Sequence, residues 1–522
     1  MHDPANELRR IPLPRTSVDK APLSSRIHRE FIGACHISGK AKLERREMDD
    51  PILYWNDVAL EANRVSHTNG KGEQTGPALS SRALAIVHLA MYDAFVGASQ
   101  AALNHYLTPK PATGSSVDAA VATAAHSTLS HLFPSQKPFF DRKHSQAGLS
   151  GSNLKKGHEF GLLVAKNILA DRKDDPDASD NGYAASMAHG AHRPDPDNPE
   201  QGYHAPFYGA ESKGFAVTAR HKLDAPPQPG ATAYTKALRQ VRAKGIAPEL
   251  MGTLPTTGPL NAQRRTVDET CIGLYWGYDG ARELGTPPRL YNQIVRKVAD
   301  EKANTPEENA RLFALVNVAM ADAGILAWEQ KYIHDLWRPV VGIREHDKSM
   351  GPTGVGNNDI DDDCQPDWLP LGAPLTNVKG KNFTPHFPAY PSGHATFGAA
   401  AFHITRLFYG KANGGVDSGN RGRDDLFNNL EFVSEELNGL NKDNKETVRP
   451  RHVRKFDDGL WQMIIENGRS RVFLGVHWVF DAFAVNSNGD PDFTENVGGV
   501  RLGLTIAEDI FGSGMQKPNP PV

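Results

Sequence analysis

Cysteine is scarce in this chain of 522 residues: Cys35, Cys271 and Cys364 are an odd number at wide spacing. That argues against a disulfide framework and leaves no CxxC-type metal site. Net charge is also small, -3 with histidine neutral. Neither nucleic acid nor an anionic membrane is therefore implied as a bulk partner, and any anion site has to be local. No run of about 18 or more consecutive apolar residues occurs, which predicts no transmembrane helix. The opening MHDPANELRRIPLPRTSVDK has no apolar stretch after its basic residues. No signal peptide is recognisable there, so the expectation is a soluble protein, cytoplasmic or exported by another route. Strand-like alternation is scarce throughout, and no short repeat is visible.

What is present is helical periodicity. The composition, 39% hydrophobic and 23% charged, is that of a globular protein with room for a sizeable core. Residues 1–50 read as a polar N-terminal arm. Helical patterning begins at "PILYWNDVALEANRVSH" (51–67) and recurs at 78–99, 116–133 and 154–172. Residues 173–235, rich in Asp, Pro, Gly and His, read as a long surface loop; their histidines lack regular ligand spacing. Helices are expected again at 266–280, 287–301 and 305–339, where Thr305-Pro-Glu-Glu supplies a cap, a proline at the first helical position and a glutamate at N3. Further helices should follow Ser392 and cover 454–485 and 498–511. The fold class is all-α: two helical bundles with long connecting loops. The first spans 51–300 with the loop insertion at 173–235, and the second spans 301–522.

Three clusters carry chemistry. In "KYIHDLWRP", Lys331 and Arg338 lie seven residues apart, close to two helical turns, so on a continuous helix both cations face one way. Pro339 interrupts that helix just past Arg338. In "FPAYPSGHATFG", Ser392 is a good N-cap and Gly393-His394 open a helix whose first N–H groups and dipole favour an anion. In "SRVFLGVHWVFDAFA", His477 and Asp481 are i, i+4, so the carboxylate can orient the imidazole, while Arg471 must reach from the helix start or the preceding turn. Each cluster alone has a bland reading: a solvated cationic face, a plain serine cap, a buried His–Asp pair. Joined, they hold three cations, a hydroxyl, helix-end amides and two histidines. Those groups suit a tetrahedral oxyanion, with one imidazole to attack or ligate its central atom and the other to move a proton. The acidic "NNDIDDDC" (357–364) invites a calcium reading, but a solvated acidic loop accounts for it.

The ordered motifs K-x6-R-P, P-S-G-H and S-R-x5-H-x3-D resemble the signature shared by type 2 phosphatidic acid phosphatases and vanadium-dependent haloperoxidases. The 75 residues between His394 and Ser470 are longer than the compact phosphatase pattern. "PILYWNDVALEANR", "YWGYDGARELGTPPRLYNQIVRKV", "PLGAPLTNV" and "ENVGGVRLGLTIAEDIF" resemble the chloroperoxidase-like haloperoxidases. The resemblance covers about 51–511. It implies two helical bundles with the oxyanion site in the second, and vanadate as cofactor, with phosphate able to occupy the site in its absence. Hydrogen peroxide, a halide and a small organic acceptor are the implied partners, and hypohalous acid the product. By position, His477 resembles the ligand to vanadium. Lys331, Arg338, Ser392, Gly393 and Arg471 resemble the groups around the vanadate oxygens, with Lys331 also polarising peroxide. His394 resembles the acid/base, and Asp279 the partner of the second arginine. Trp328 and Phe387 match apolar aromatics near the halide; bromoperoxidases tend to carry histidine where Phe387 stands, and His386 is adjacent. The shared signature also fits a soluble acid phosphatase with His477 as nucleophile and His394 as proton donor, or a catalytically silent phosphate binder.

Overall fold

Caps and prolines place most helix starts where the residue pattern puts them. The computed structural model describes residues 50–107, 112–149, 152–257, 264–410 and 427–522. All of the expected N-terminal arm except Asp50 lies outside them. Asp50 itself caps α1 (Pro51–Ser66), its side chain accepting from the Ile52 and Leu53 amides. There follow α2 (Gly76–Ser99), α3 (Val117–Leu132), α4 (Lys137–Gln146) and α5 (Leu154–Asp171). The next are α6 (Tyr208–Glu211), α7 (Thr232–Lys244), α8 (Val267–Tyr275) and α9 (Pro287–Lys302). The long α10 (Pro306–His334) and the short α11 (Pro339–Arg344) precede α12 (Gly393–Phe408). Last come α13 (Gly459–Phe473), α14 (Val479–Ala482) and α15 (Gly499–Gly512). Among the described residues, strands are confined to two small antiparallel pairs, β1 (Leu430–Phe432) with β2 (Arg454–Phe456) and β3 (Ala484–Val485) with β4 (Pro491–Asp492).

The capping box read at Thr305 forms as expected, with Thr305 Oγ accepting from the Glu308 amide and Glu308 reaching back to the Thr305 amide. From Leu312 to Trp328 α10 is buried on all sides. It packs against α1 and α2 on one side and against α12 and α15 on the other, so it belongs to both bundles. In the first bundle α2, α3 and α5 pack together; in the second α12 is surrounded by α9, α10, α13 and α15. The 18-residue windows of α2 and α10 are apolar enough for a membrane span, but 89% and 94% of those windows are buried inside the fold.

Several expected boundaries move. The helix expected over 305–339 ends at His334, because Asp335 is in the left-handed region at φ 45° and Arg338 instead precedes α11 as its N-cap. The helix expected over 454–485 is two helices, α13 and α14, separated by a turn at Gly475, φ 75°. A Cβ there would lie 2.5 Å from the Gly245 carbonyl oxygen, so the turn needs both the free conformation and the missing side chain. Helices α4 and α7 were not expected. Residues 173–231 are largely irregular, but they are not a surface loop throughout: His192, Asp195, Phe215 and Val217 are buried.

Candidate active site

The three clusters converge where the end of α10, the start of α12 and the turn between α13 and α14 meet. The geometry begins with His477. Its ring is 2% exposed, Nδ1 lies 2.8 Å from Asp481 Oδ2, and Nε2 lies 2.8 Å from Arg338 Nη1. A guanidinium only donates, so Nε2 is the acceptor and the proton sits on Nδ1, held by Asp481. The Nε2 lone pair is thereby aimed at the cation cluster. Burial, reinforced by Arg338 and Lys331, holds the imidazole well below its usual pKa. Asp481 also accepts from the Trp478 amide at 3.0 Å, and burial raises its pKa to about 7.

Arg338 is fully buried and held by neutral acceptors. Nε donates to the Phe387 carbonyl and Nη1 to the Val476 carbonyl, each at 2.8 Å. Its Nη2 is buried with no protein partner. Burial lowers its pKa to about 9. Lys331 is buried at 0% exposure and its ammonium donates to the carbonyls of Pro388, Ala389 and Pro391 at 2.9, 3.1 and 2.5 Å. Burial and then Arg338 push its pKa well down. The expected same-face helical relation of Lys331 and Arg338 does not exist, since the helix ends between them. They meet because residues 387–391 run past both.

On the opposite side Arg471, 1% exposed, ends α13 and forms a bidentate pair with Asp279, at 2.6 and 3.0 Å. Its Nε is buried with no protein partner. His394 stands in the first turn of α12 and its Nε2 lies 2.8 Å from the Gly277 carbonyl, which can only accept. Nε2 is therefore protonated and Nδ1 is the basic nitrogen. Burial lowers the His394 pKa to about 4. Ser392 caps α12, accepting from the Ala395 amide, while its own amide donates to the Asp481 carbonyl at 2.8 Å. Gly393 begins the helix beside the Trp328 ring. Trp328 and Phe387 pack at 4.9 Å between centroids, and the Phe387 ring lies 5.1 Å from Lys331 Nζ and 4.9 Å from Arg338 Cζ.

A cavity of about 80 Å³ is lined by Asp279, Trp328, Phe387, Gly393, His394, Arg471 and His477, together with residues not expected there. Among the latter are His204 and His386. The His204 backbone is fixed by Trp328 Nε1 and Tyr332 Oη donating to its carbonyl and by its own amide donating to the His386 carbonyl. Its ring meets that of His386 at 5.5 Å, and its Nε2 is buried without a partner. His192 is also buried, with neither ring nitrogen paired, and residue 191 bridges to residue 336 just before Arg338. Both histidines come from the segment expected to be a surface loop. The only signal for them was the His-rich character of that segment, in "MAHGAHRPD" for His192 and "GYHAPFYG" for His204. The site thus brings the three motifs together with Asp279, Trp328 and Phe387. In the acidic 357–364 loop, donor atoms of Asp361 and Asp363 lie within 4.8 Å of His346, and Asp363 is already paired with Arg239.

The donor set fits an oxyanion such as vanadate. Two buried guanidinium nitrogens without protein partners, Arg338 Nη2 and Arg471 Nε, accompany an imidazole lone pair and a helix N-terminus. Comparison with known proteins gives the same direction. Residues 44–201 match the family model of the vanadium chloroperoxidase N-terminal domain, and residues 311–491 that of the VCPO second helical-bundle domain. The chain is 36% identical to the vanadium chloroperoxidase of Curvularia inaequalis, over 90% of each protein. The fold is similar to that of a bacterial vanadium-dependent iodoperoxidase, at TM-score 0.60 and 18% identity, over 88% of this chain and 95% of that one. It is also similar to a holo-type bacterial vanadium-dependent chloroperoxidase, at TM-score 0.56 and 16% identity, over 87% and 96%.

Proposed function

This chain belongs to the vanadium chloroperoxidase family, and on that premise we propose that it oxidises bromide, and with it chloride, using hydrogen peroxide. It is a vanadium-dependent haloperoxidase with vanadate as its cofactor. The product is hypohalous acid, which halogenates a small organic acceptor. The observation that carries the reading is a pair of buried guanidinium nitrogens without a partner among the described residues, Arg338 Nη2 and Arg471 Nε, on opposite sides of a site where His477 directs a lone pair toward Arg338.

In this reading His477 Nε2 would ligate vanadium, with Asp481 fixing its tautomer. Arg338, Arg471, Ser392 and the Gly393 amide would hold the oxygens, and Lys331 would add charge and polarise peroxide. Vanadate supplies Lewis acidity without changing oxidation state. His394 takes a proton from hydrogen peroxide at Nδ1, the nitrogen that its bond to Gly277 leaves basic. Trp328 and Phe387 exclude water from the halide, and the charges of Lys331 and Arg338 over Phe387 keep that apolar wall attractive to an anion.

The test is bromide and chloride oxidation by vanadate-loaded protein, set beside hydrolysis of p-nitrophenyl phosphate. The expectation is halide oxidation and loss of more than about a thousandfold in His477→Ala, the scale of removing an essential group. Phosphomonoester turnover without halide oxidation in fully loaded protein would overturn the reading in favour of the phosphatase. Phosphate binding without either turnover would leave an anion-binding protein.

A further inference from the structure

The segment 427–456 lies between the second and third motifs and contributes no residue to the cavity lining. It nevertheless carries a fully buried carboxylate, Glu436, at 0% exposure. Glu436 Oε1 accepts from the Tyr278 amide at 3.1 Å. Its Oε2 accepts from Thr376 Oγ and from Arg449 Nη1, each at 2.6 Å. Arg449 Nη1 donates also to Thr376 Oγ at 2.9 Å, closing the cluster. The carboxylate lies so close to Gly277 that a Cβ there would be 2.6 Å from Oε1.

Those contacts fall on the turn that serves the second wall of the site. Gly277 offers the carbonyl that holds His394, and Asp279 holds Arg471. Between them Tyr278 is left-handed at φ 57°, a conformation that a tyrosine keeps only when its surroundings fix it. The same short segment grips the turn elsewhere. Ser434 Oγ donates to the Tyr275 carbonyl at 2.6 Å, and the Glu435 amide donates to Tyr278 Oη at 3.1 Å.

We propose that Glu436, clamped by Arg449 and Thr376, is a positioning residue that sets the orientation of His394 through the Gly277 carbonyl and of Arg471 through Asp279. Glu436 meets none of the reacting groups. It acts by fixing three consecutive residues, of which the first and third hold a proton-moving imidazole and an anion-binding guanidinium. The role in halide turnover rests on the reading above; the role in anion binding does not.

The test compares Glu436→Gln and Glu436→Ala with Asp93→Asn, in full-length protein. Asp93 is likewise a buried carboxylate, accepting from the Tyr106 and Leu107 amides, but it sits on α2 away from the site. Three readouts are taken: melting temperature, affinity for inorganic phosphate by calorimetry, and kcat and KM for bromide with vanadate-loaded protein. Glu436→Ala should bind phosphate about tenfold more weakly and lose about thirtyfold in kcat with bromide KM nearly unchanged, as expected when a supporting group misplaces the reacting ones. Glu436→Gln, which keeps an oxygen for the Tyr278 amide but loses the charge that Arg449 pairs with, should show a smaller loss, still about threefold or more in both. Asp93→Asn should lower the melting temperature and leave both site readouts within about twofold. If Glu436→Ala does not fold, Glu436→Gln is judged against Asp93→Asn, and a decrease of about threefold or more confined to the Glu436 variant supports the role. Parent-like phosphate affinity and kcat in the folded variants, or equal losses in Asp93→Asn, would overturn it. If the parent protein oxidises no halide, the reading above fails and the phosphate arm alone decides on Glu436.

Discussion

The two sides of the site, its walls, solve the same electrostatic problem in opposite ways. Arg338 and Lys331 on one wall are buried among carbonyl oxygens and an imidazole, and among the described residues no carboxylate pairs with either. Arg471 on the other wall is matched by Asp279, two bonds to one carboxylate. Burying an uncompensated cation costs stability. The first wall is therefore the place where the fold gives up stability for charge, and it is there that an oxyanion recovers most. The second wall is close to neutral before any anion arrives. It contributes direction instead: a guanidinium locked in one orientation, and a histidine whose basic nitrogen is fixed by the bond its other nitrogen makes.

The largest expected effect separates the walls directly. Arg338→Gln should weaken vanadate or phosphate binding about a hundredfold while leaving the melting temperature unchanged or higher, because it removes a buried charge that Asp481 offsets only from a distance, without a hydrogen bond. Arg471→Gln should also weaken binding, but at a cost of about 3 kcal/mol in stability, because Asp279 is left buried without its partner. Equal melting temperatures in calorimetry of the two variants would break the comparison.

A smaller effect concerns the apolar end that both walls share. His204→Phe removes a buried imidazole nitrogen from the cavity, and chloride, the more strongly hydrated halide, should suffer most. The bromide-to-chloride ratio of kcat/KM should rise about tenfold at unchanged vanadate affinity. An unchanged ratio would remove His204 from the account of selectivity.

The mildest test is acid. His88, His386 and His394 have pKa values lowered to about 4 by burial, against 6.5 in the unfolded chain. Below pH 6.5 the unfolded chain therefore binds protons that the folded chain refuses. The stability from these groups is complete above pH 6.5 and is lost as the pH falls toward 4. Melting temperature followed against pH should be flat at neutral pH and fall across that window.

Much of the site was legible in the sequence, though partly for the wrong reason. Lys331 and Arg338 were paired on the assumption of a continuous helix, and Asp335 breaks it. They still converge because the loop before α12 supplies carbonyls to both, a long-range contact that periodicity does not encode. The His477–Asp481 contact was read from i, i+4 spacing; the residues do meet, but across the entry to α14 rather than within one helix. Asp279 was found through the resemblance of its flanking residues, and the structure gives it the expected partner. His192, His204 and Glu436 were missed for one reason. Each lies in a stretch with no helical or strand period, where burial is decided by what the rest of the chain packs against it.

Close approach also governs the back of the site. A Cβ on Gly499 would lie 2.5 Å from the Ser392 carbonyl oxygen, and one on Gly503 would lie 2.4 Å from the Thr396 carbonyl oxygen. These glycines, one helical turn apart, let α15 lie directly on the first turns of α12. The anion-binding end of α12 is thus propped from behind by a helix that offers nothing to the cavity. A mutagenesis screen scored on turnover would return Gly499 and Gly503 beside the true ligand-binding positions. Only an anion-affinity measurement paired with a melting curve would tell a displaced support from a lost contact.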